Sequence, residues 1–305
     1  MEFKPSKHVL VIALTTIGLL MLIFLTPHED LVVKTKHLFD TVQNSAANGK
    51  KGGNNVALII DTKYTKKLIP LILHYHSVLG PDWPIVFYTS QDTFDLHFSP
   101  ETAVNQSAIW QRAVDDRVID VRILPPEVDL TQRDAVNLFL SRRWLWEQMA
   151  PAQHVLTFQA DSMMCGNSHR RIEEWLKYDY VGAPAASPLD PAPILYNGGL
   201  SLRNRTMILD ILNEGNSLEE DSKKNDKIGG EDMWFSRKMA ARGASLPDYM
   251  EALGFACQKD WHMGMMPEPL GYHKVHLNAP LRLKQIAQWC PEIALAAPGH
   301  LEPAY

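Results

Sequence analysis

The chain has 305 residues, of which 46% are hydrophobic and 21% are charged, a composition that fits one large globular domain or two small ones. Its formal net charge of −5 gives no electrostatic basis for binding nucleic acid, so we expect no nucleic-acid partner. The sequence shows neither internal repeats nor low-complexity tracts.

An uncharged apolar run at residues 9–25 follows Lys4 and Lys7. Its length is at the short end of the range of about 17–25 residues for a membrane-spanning helix. A cleaved signal peptide is the alternative, but Leu25-Thr26-Pro27-His28 offers no small-x-small cleavage site. The lysines favour a cytoplasmic N-terminus. We therefore predict a cytoplasmic tail (1–8) and a transmembrane signal anchor (9–26). These make a single-pass type II protein of the Golgi or ER membrane, with its C-terminal bulk in the lumen.

A stem or linker is predicted for residues 27–55. Its end, residues 44–55, is rich in Asn, Gly and Lys and cannot pack a core. We place the folded domain at 56–280 and a C-terminal extension at 281–305.

Strand and helix patterns alternate along the first part of this domain. Apolar β-rich runs predict strands, and spacings of three and four residues predict helices. The predicted strands are Val56–Ile60, Ile85–Tyr88, Val118–Ile123 and Val155–Phe158, and the predicted helices are Leu68–Leu79 and Asp134–Met149. Strand, helix and strand at these spacings indicate βαβ units. The predicted fold class is therefore α/β, with a mostly parallel central sheet flanked by helices.

The second half is predicted to contain a strand at Leu200–Leu202 and a helix capped by Asn204. The polar stretch 213–227 is predicted to be a loop. A further helix opens at Gly229-Gly230-Glu231-Asp232 and reaches Ala241. Acidic residues at a helix start also have a plain explanation, because they interact favourably with the helix dipole.

Polar residues follow two of the predicted strands directly. Asp61 and Thr62 come after the first strand, and Gln159-Ala160-Asp161 comes after Val155–Phe158. In open α/β sheets, ligands bind outside the carboxyl ends of the strands. A lone carboxylate there can be a metal ligand, a catalytic base or a turn cap. Farther along, the glycines of Asn197-Gly198-Gly199 would let the backbone approach a ligand closely.

Together these stretches resemble the GT-A glycosyltransferases, in which an Asp-x-Asp motif ends a central strand and its last Asp holds a divalent metal. Asp161 matches that Asp, and Gln159 stands in place of the first one. The stretch Leu270-Gly271-Tyr272-His273-Lys274 looks like the segment that returns a His to the metal. The resemblance therefore implies Asp161 and His273 as ligands of Mn²⁺ or Mg²⁺, and an imidazole ligand favours Mn²⁺.

Gly229-Gly230-Glu231-Asp232 is similar to the acidic motif of inverting β-galactosyltransferases, whose Asp receives the proton of the acceptor hydroxyl. This similarity implies Asp232 as the catalytic base, with Glu231 beside it. Neighbouring residues at a helix start cannot point the same way, so we expect only one of them to face the acceptor. The residues expected to bind the donor or substrate are Asp61, Thr62, Gln159, Asn197, Gly198, Gly199, Arg203, Gly230 and Lys274.

The span from about Val56 to Lys274 also resembles an uncharacterised, largely fungal family of membrane-anchored glycosyltransferase-like proteins. The shared patterns are Phe-Gln-x-Asp-Ser, Asn-Gly-Gly-Leu-Ser-Leu-Arg and Glu-Asp-x-Trp. The implied function is transfer of a sugar from a nucleotide-sugar donor to a glycan or other hydroxyl acceptor, assisted by a divalent metal. The alternatives are a metal-independent transferase and a catalytically inactive sugar-nucleotide or glycan-binding protein.

The three cysteines, Cys165, Cys257 and Cys290, show no metal-binding pattern. In an oxidising lumen one disulfide and one thiol are possible, and the sequence leaves the pairing open. Two Asn-x-Ser/Thr acceptors occur, at Asn105 and Asn204. We expect Asn105 to be the glycosylated one, because Asn204 caps a helix beside the predicted site.

Overall fold

The structure, a computed structural model, describes residues 54–99, 102, 107–185, 193–225, 228–258, 266, 268–297 and 299–301. The predicted tail, the predicted anchor and most of the predicted stem lie outside these ranges, as does Asn105. None of the helices within them has the length and hydrophobicity that a membrane crossing requires.

The strands build two sheets. In chain order they are β1 (Asn55–Ile60), β2 (Ile85–Thr89), β3 (Ile119–Ile123), β4 (His154–Phe158), β5 (Ser162–Met164), β6 (Tyr180–Pro184), β7 (Tyr196–Asn204), β8 (Ala256–Cys257) and β9 (Gly271–His273). The larger sheet has the strand order β3-β2-β1-β4-β7-β6, and the smaller has the order β5-β9-β8. In the larger sheet only β7 runs against its neighbours. The predicted α/β class with a mostly parallel sheet is therefore confirmed.

Helices connect and cover these strands. The α-helices of the described ranges are α1 (Leu68–Leu79), α2 (Gln91–His97), α3 (Ala108–Asp115), α4 (Arg133–Leu140), α5 (Arg143–Glu147), α6 (Arg205–Asn213), α7 (Leu218–Lys224), α8 (Glu231–Ala241), α9 (Tyr249–Phe255), α10 (Val275–Asn278), α11 (Leu283–Trp289) and α12 (Ile293–Ala296). Two short 3₁₀ turns occupy Ile172–Trp175 and Pro280–Arg282.

The central strands are apolar because the sheet is covered on both faces. Every residue of β2 and β4 is buried, as is typical of parallel strands between two layers of helix. Helix α1 buries one stripe of its surface, including Tyr75, whose ring stacks on Phe158 of β4 at 3.8 Å between centroids. Gly80 ends α1 with a φ of +80°. Because β1 and β4 pair in parallel, their carboxyl ends lie side by side.

Two predictions of local structure were wrong. The predicted helix at Asp134–Met149 is broken into α4 and α5, because the Ser141 hydroxyl donates to the Leu138 carbonyl and Arg142 is extended. The predicted loop at 213–227 contains α7, which is capped by Ser217. The signals for α7 are present in the sequence, since acidic residues fill its first turn and lysines its last.

The segment predicted as a C-terminal extension packs on the same core. Helices α11 and α12 bury Leu283, Ile286 and Ile293, and Cys290 at the end of α11 forms a disulfide with Cys165, just beyond β5. The third cysteine, Cys257, is buried and takes no part in a disulfide. The disulfide therefore ties this segment to the strand that follows Asp161.

Candidate active site

A cavity of about 600 Å³ opens at the carboxyl ends of β1 and β4. Asp61 and Thr62 reach it from the end of β1, and Gln159 and Asp161 reach it from the end of β4. Apolar walls come from α4 and α12. Leu295 and Ala296 of α12 lie in the segment that was predicted to be a C-terminal extension. The apolar residues lining the cavity include Leu130, Val136, Phe139, Leu140, Phe158, Leu295 and Ala296. An apolar cavity with a few convergent polar groups is the usual form of a small-molecule site.

Asp161 and His273 meet at the mouth of this cavity. His273 Nε2 lies 3.3 Å from Asp161 Oδ1 and 3.3 Å from Gln159 Oε1. The second imidazole nitrogen, His273 Nδ1, is buried and has no hydrogen-bond partner within the described ranges, and Asp161 Oδ1 is buried beside the His273 imidazole. A carboxylate oxygen has two lone pairs, so Asp161 Oδ1 can accept a further partner such as a cation while it stays beside the imidazole.

The small sheet brings His273 to this position. Strand β9 pairs antiparallel with β5, which places His273 opposite Ser162, and the Lys274 amide donates to the Asp161 carbonyl. The imidazole also lies directly against Gly199. A Cβ on Gly199 would come within 2.1 Å of His273 Nε2, so the close approach there requires glycine. That this glycine also lets the backbone approach a ligand stays a prediction.

Two carboxylates, Asp61 and Asp161, lie at this end of the cavity among several basic side chains. Burial by itself raises the pKa of Asp161, but the neighbouring His273 and Lys274 outweigh it, and its pKa lies below the usual value. Burial raises the pKa of Asp61, the hydrogen bond from the Lys63 amide opposes this, and the charge of Asp161 adds to it. The two carboxylates therefore repel each other across the cavity. A divalent cation beside them would relieve that repulsion.

Asp161 and His273 suit a metal ion whose remaining ligands come from the substrate. Among the described residues, no group of three His, Cys, Asp or Glu side chains could hold a metal ion by itself. The Asp161–His273 pair therefore supplies only two protein ligands. Mg²⁺ sites commonly use one or two carboxylates and take their remaining ligands from water and substrate phosphates. The pair suits such a site, and its imidazole suits Mn²⁺.

Asp232 forms a second group of polar contacts, close to the first. Its Oδ2 accepts a hydrogen bond from the Gly198 amide at 2.9 Å and a longer one, at 3.4 Å, from the Asn197 side chain. Its Oδ1 accepts from the Met233 amide at 2.8 Å. Gly198 directly precedes Gly199, the residue on which the His273 ring rests. Asp232 and the Asp161–His273 pair therefore lie on either side of one dipeptide.

Glu231 points away from Asp232, into the core. It forms a two-point ion pair with Arg203, at 2.9 and 3.0 Å, and the Arg203 side chain is fully buried. The guanidinium also lies over the rings of Trp146 and Tyr180. Burial by itself lowers the pKa of Arg203, but the charge of Glu231 outweighs it and the pKa is raised. A Cβ on Gly198 would meet Arg203 Nη2 at 2.5 Å, so the first glycine makes room for this pair.

The structure thus sorts the predicted site residues into distinct groups. Asp61, Thr62, Gln159 and Asp161 line the main cavity, with His273 and Lys274 adjoining through Asp161. Asn197, Gly198, Gly199 and Asp232 form the neighbouring group. Gly230 lines a separate cavity of about 520 Å³ beside α4 and α7. Arg203 and Glu231 bind each other in the core and have no surface on which to meet a donor.

Sequence reasoning missed several lining residues. Lys63 and Lys66 follow β1 and line the main cavity, as does His276 of α10. The signal for the lysines was present, because they come directly after a strand whose carboxyl end had already been identified. The sequence around His276 contains no motif that predicts a site residue, because the position of His276 depends on the pairing of β9 with β5.

Fold and site define an α/β protein with a carboxylate–imidazole pair at the carboxyl end of a central parallel strand. The chain belongs to the family described as "Protein of unknown function (DUF5672)", which matches residues 118–273, about half of its length. No curated protein matches it in sequence.

Two solved structures illustrate what the chain is similar to. One is the apo-form glycosyltransferase GlyE of Streptococcus pneumoniae TIGR4, with a TM-score of 0.45, 11% identity and a match over 74% of this chain. The other is the mannosyltransferase PcManGT of Pyrobaculum calidifontis in complex with GDP-Man and Mn²⁺, with a TM-score of 0.40, 14% identity and a match over 64% of this chain. The match spans 55% of each of those two chains.

Proposed function

We propose that this protein is a glycosyltransferase that moves a sugar from a nucleotide-sugar donor to a glycan or other hydroxyl acceptor, with Mn²⁺ or Mg²⁺. One observation carries the proposal. Asp161 and His273 meet beside a largely apolar cavity of about 600 Å³ at the carboxyl end of β4, and Asp161 lines that cavity. The motifs around both residues resemble those of GT-A glycosyltransferases, which supports the same assignment.

The chemistry of glycosyl transfer accounts for these residue types. When the bond between sugar and phosphate breaks, negative charge builds on the departing nucleoside diphosphate, and a bound divalent metal would neutralise it. Asp161 and His273 would hold the metal. Lys274 Nζ, at 3.6 Å from Asp161 Oδ2, adds positive charge at the same place, and Lys63 and Lys66 add more along the cavity.

Asp232 is the base of the proposed reaction. A carboxylate offers about four lone-pair positions. Three of them accept hydrogen bonds from Asn197, Gly198 and Met233. The remaining position can receive the proton of an acceptor hydroxyl, and the three bonds fix the direction in which it points. A base facing the acceptor agrees with inversion at the sugar carbon.

Gln159 supports a second candidate, a metal-independent transferase. Its amide oxygen lies 3.3 Å from His273 Nε2, within hydrogen-bond distance, so the imidazole already has a partner within the protein. In that case Lys274, Lys63 and Lys66 alone would stabilise the leaving diphosphate. A catalytically inactive protein that only binds sugar nucleotides or glycans would use the same cavity without turnover.

Turnover of a sugar nucleotide by the purified full-length chain tests the proposal. We expect one member of a panel of UDP-, GDP- and CMP-sugars to be hydrolysed or transferred in the presence of Mn²⁺. We expect EDTA to abolish the activity and added Mn²⁺ to restore it. Activity that ignores EDTA would favour the metal-independent candidate. Tight binding without turnover of any donor would favour the inactive binding protein.

We also propose that the protein is anchored in the Golgi or ER membrane with this domain in the lumen. The Cys165–Cys290 disulfide supports an oxidising compartment. If the apolar run at residues 9–25 is an uncleaved anchor, the full-length chain should stay in the membrane pellet after extraction with alkaline carbonate. Recovery of the full-length chain in the supernatant would contradict the anchor.

A further inference from the structure

The cavity of about 520 Å³ beside α4 and α7, here called the second cavity, reaches the residues that precede Asp232. Gly229 and Gly230 line it. A Cβ on Gly230 would meet Asp232 Oδ1 at 2.9 Å, so this oxygen lies beside a residue of the cavity wall. Asp232 Oδ1 accepts one hydrogen bond, whereas Oδ2 accepts two. The lone pair left for the proton of an acceptor is therefore on the oxygen next to the second cavity.

Helix α4 lines both cavities, with different side chains. Its apolar residues Val136 and Phe139 line the main cavity. Its polar residues Arg133, Asp134 and Asn137 line the second. Residues three and four apart share one side of a helix, which explains the division. One helix thus offers an apolar surface to a ligand in the main cavity and a polar surface to a ligand in the second.

The charges of the two cavities also differ. Three lysines line the main cavity together with two carboxylates, which suits the diphosphate of a donor. Among the described residues of the second cavity, Arg133 and Lys223 are balanced by Asp134 and Glu219. Glu219 and Lys223 already form an ion pair at 2.8 Å. The second cavity therefore suits a polar ligand without net charge.

The residues of the second cavity favour a carbohydrate among such ligands. The described residues that line it belong to α4, to α7 and to the turn before α8, and they supply carboxylate, amide, hydroxyl and ammonium groups. Sugar hydroxyls can both donate to and accept from groups of these kinds. An extended peptide usually pairs with the edge of a sheet, and no strand contributes to this part of the wall.

We infer that the second cavity is the acceptor site, and that the acceptor is a neutral glycan whose terminal sugar lies beside Asp232. This inference rests on the proposed function, because it needs a donor in the main cavity. The acceptor oxygen would bond to the donor sugar carbon as the bond from that carbon to the diphosphate breaks, and the acceptor proton would pass to Asp232. A smaller cavity of about 230 Å³ shares Leu138, Leu218 and Glu219 with the second cavity, so the next sugar of the glycan would continue there.

The test fills the second cavity by Ser222→Trp and compares it with Ser245→Trp. Ser222 is a half-buried residue of α7 that lines the cavity. Ser245 is exposed and lines neither cavity, and the hydrogen bonds it forms with Asp179 use its backbone. A third variant, Asp134→Ala, leaves the cavity open and removes one polar side chain from its wall.

The full-length protein and the three variants are assayed with the preferred sugar nucleotide and Mn²⁺. The saccharide probes are p-nitrophenyl glycosides of glucose, galactose, mannose and N-acetylglucosamine, with the corresponding disaccharides. A peptide containing Ser and Thr and a long-chain alcohol represent other classes of acceptor. Hydrolysis of the donor by water is measured without any acceptor, and the affinity for the nucleoside diphosphate is measured by calorimetry.

We expect Ser222→Trp to lower kcat/KM for the best saccharide at least about 20-fold, the effect of losing two or more neutral hydrogen bonds. Asp134→Ala should raise the KM for that saccharide about fivefold, the effect of losing one. Donor hydrolysis and nucleotide affinity should stay within about twofold in both, because the donor is bound at a separate site. Ser245→Trp should behave as the unmodified protein does, and all three should unfold within a few degrees of it.

The remaining outcomes each overturn a stated claim. Unchanged saccharide kinetics in Ser222→Trp and Asp134→Ala would overturn the acceptor site and leave the proposed function standing. An equal loss of donor hydrolysis in Ser222→Trp would assign the cavity to the donor. Donor hydrolysis with no transfer to any saccharide would overturn the glycan. If Ser222→Trp does not fold, the KM of Asp134→Ala decides alone. If the unmodified protein neither hydrolyses nor transfers from any sugar nucleotide, the proposed function itself fails.

Discussion

Replacing Asp161 with Asn should lower kcat/KM by about 10³-fold or more, because the stabilisation that a metal gives to a departing diphosphate is worth several kcal/mol. Asparagine keeps the shape of the side chain and removes its charge. Asp161 is partly exposed at the cavity mouth, with 31% of its side-chain surface accessible, so the substitution leaves no void in the core. The affinity for Mn²⁺, measured by electron paramagnetic resonance, should fall together with the activity.

Asp82→Asn provides the matched control for this substitution. Asp82 is exposed and lies just before β2, at the opposite edge of the sheet from the cavity. It should therefore change neither turnover nor Mn²⁺ affinity. Both variants should unfold within a few degrees of the unmodified protein. Near-normal activity of Asp161→Asn would remove the metal from the mechanism and leave the metal-independent candidate.

Asp232→Asn and Glu231→Gln should fail in different ways, although they change neighbouring residues. A general base contributes about 10²–10⁴-fold to the rate, so Asp232→Asn should lower kcat within that range. Donor affinity, measured by calorimetry, should change little, because Asp232 would contact the acceptor. Glu231→Gln should instead destabilise the protein by up to about 3–5 kcal/mol, because it leaves the buried Arg203 charge without its partner.

Asn197→Ala separates the loss of the base from the loss of its orientation. It removes the long hydrogen bond to Asp232 and the one that the Gly199 amide donates to Asn197 Oδ1, and it keeps the carboxylate, so it should cost less turnover than Asp232→Asn. If Asp232→Asn turns over normally and a folded Glu231→Gln is inactive, the two roles are exchanged. Retention of the anomeric configuration in the product, determined by nuclear magnetic resonance, would remove the need for a base at Asp232.

The parallel direction of the central strands explains why part of the site was predictable from the sequence. The strands β1, β2 and β4 are continuous apolar runs, and this composition predicts that they are buried. The helices between the strands predict that the strands run parallel. Once those strands are known, the residues after them must lie at one edge of the sheet. Asp61 and Asp161 could therefore be assigned to a common site from the sequence.

The roles of the two acidic neighbours and of the glycines were decided only by tertiary structure. Glu231 and Asp232 have the same local sequence context, but their side chains point in different directions. Glu231 pairs with Arg203 in the core, and Asp232 accepts a hydrogen bond from the Gly198 amide. Gly199 is needed because His273 arrives from a strand far away in the sequence. The same applies to the Cys165–Cys290 pair, which is joined across 125 residues.

The sequence by itself thus determined the fold class and the end of the parallel strands at which Asp61 and Asp161 lie together. These features depend on hydrophobic periodicity and strand polarity, which are properties of short segments. Only the tertiary structure decided which polar atoms of the described residues are paired and which, such as His273 Nδ1, are not. Pairing depends on partners brought together by strand register and packing, and no short segment contains that information.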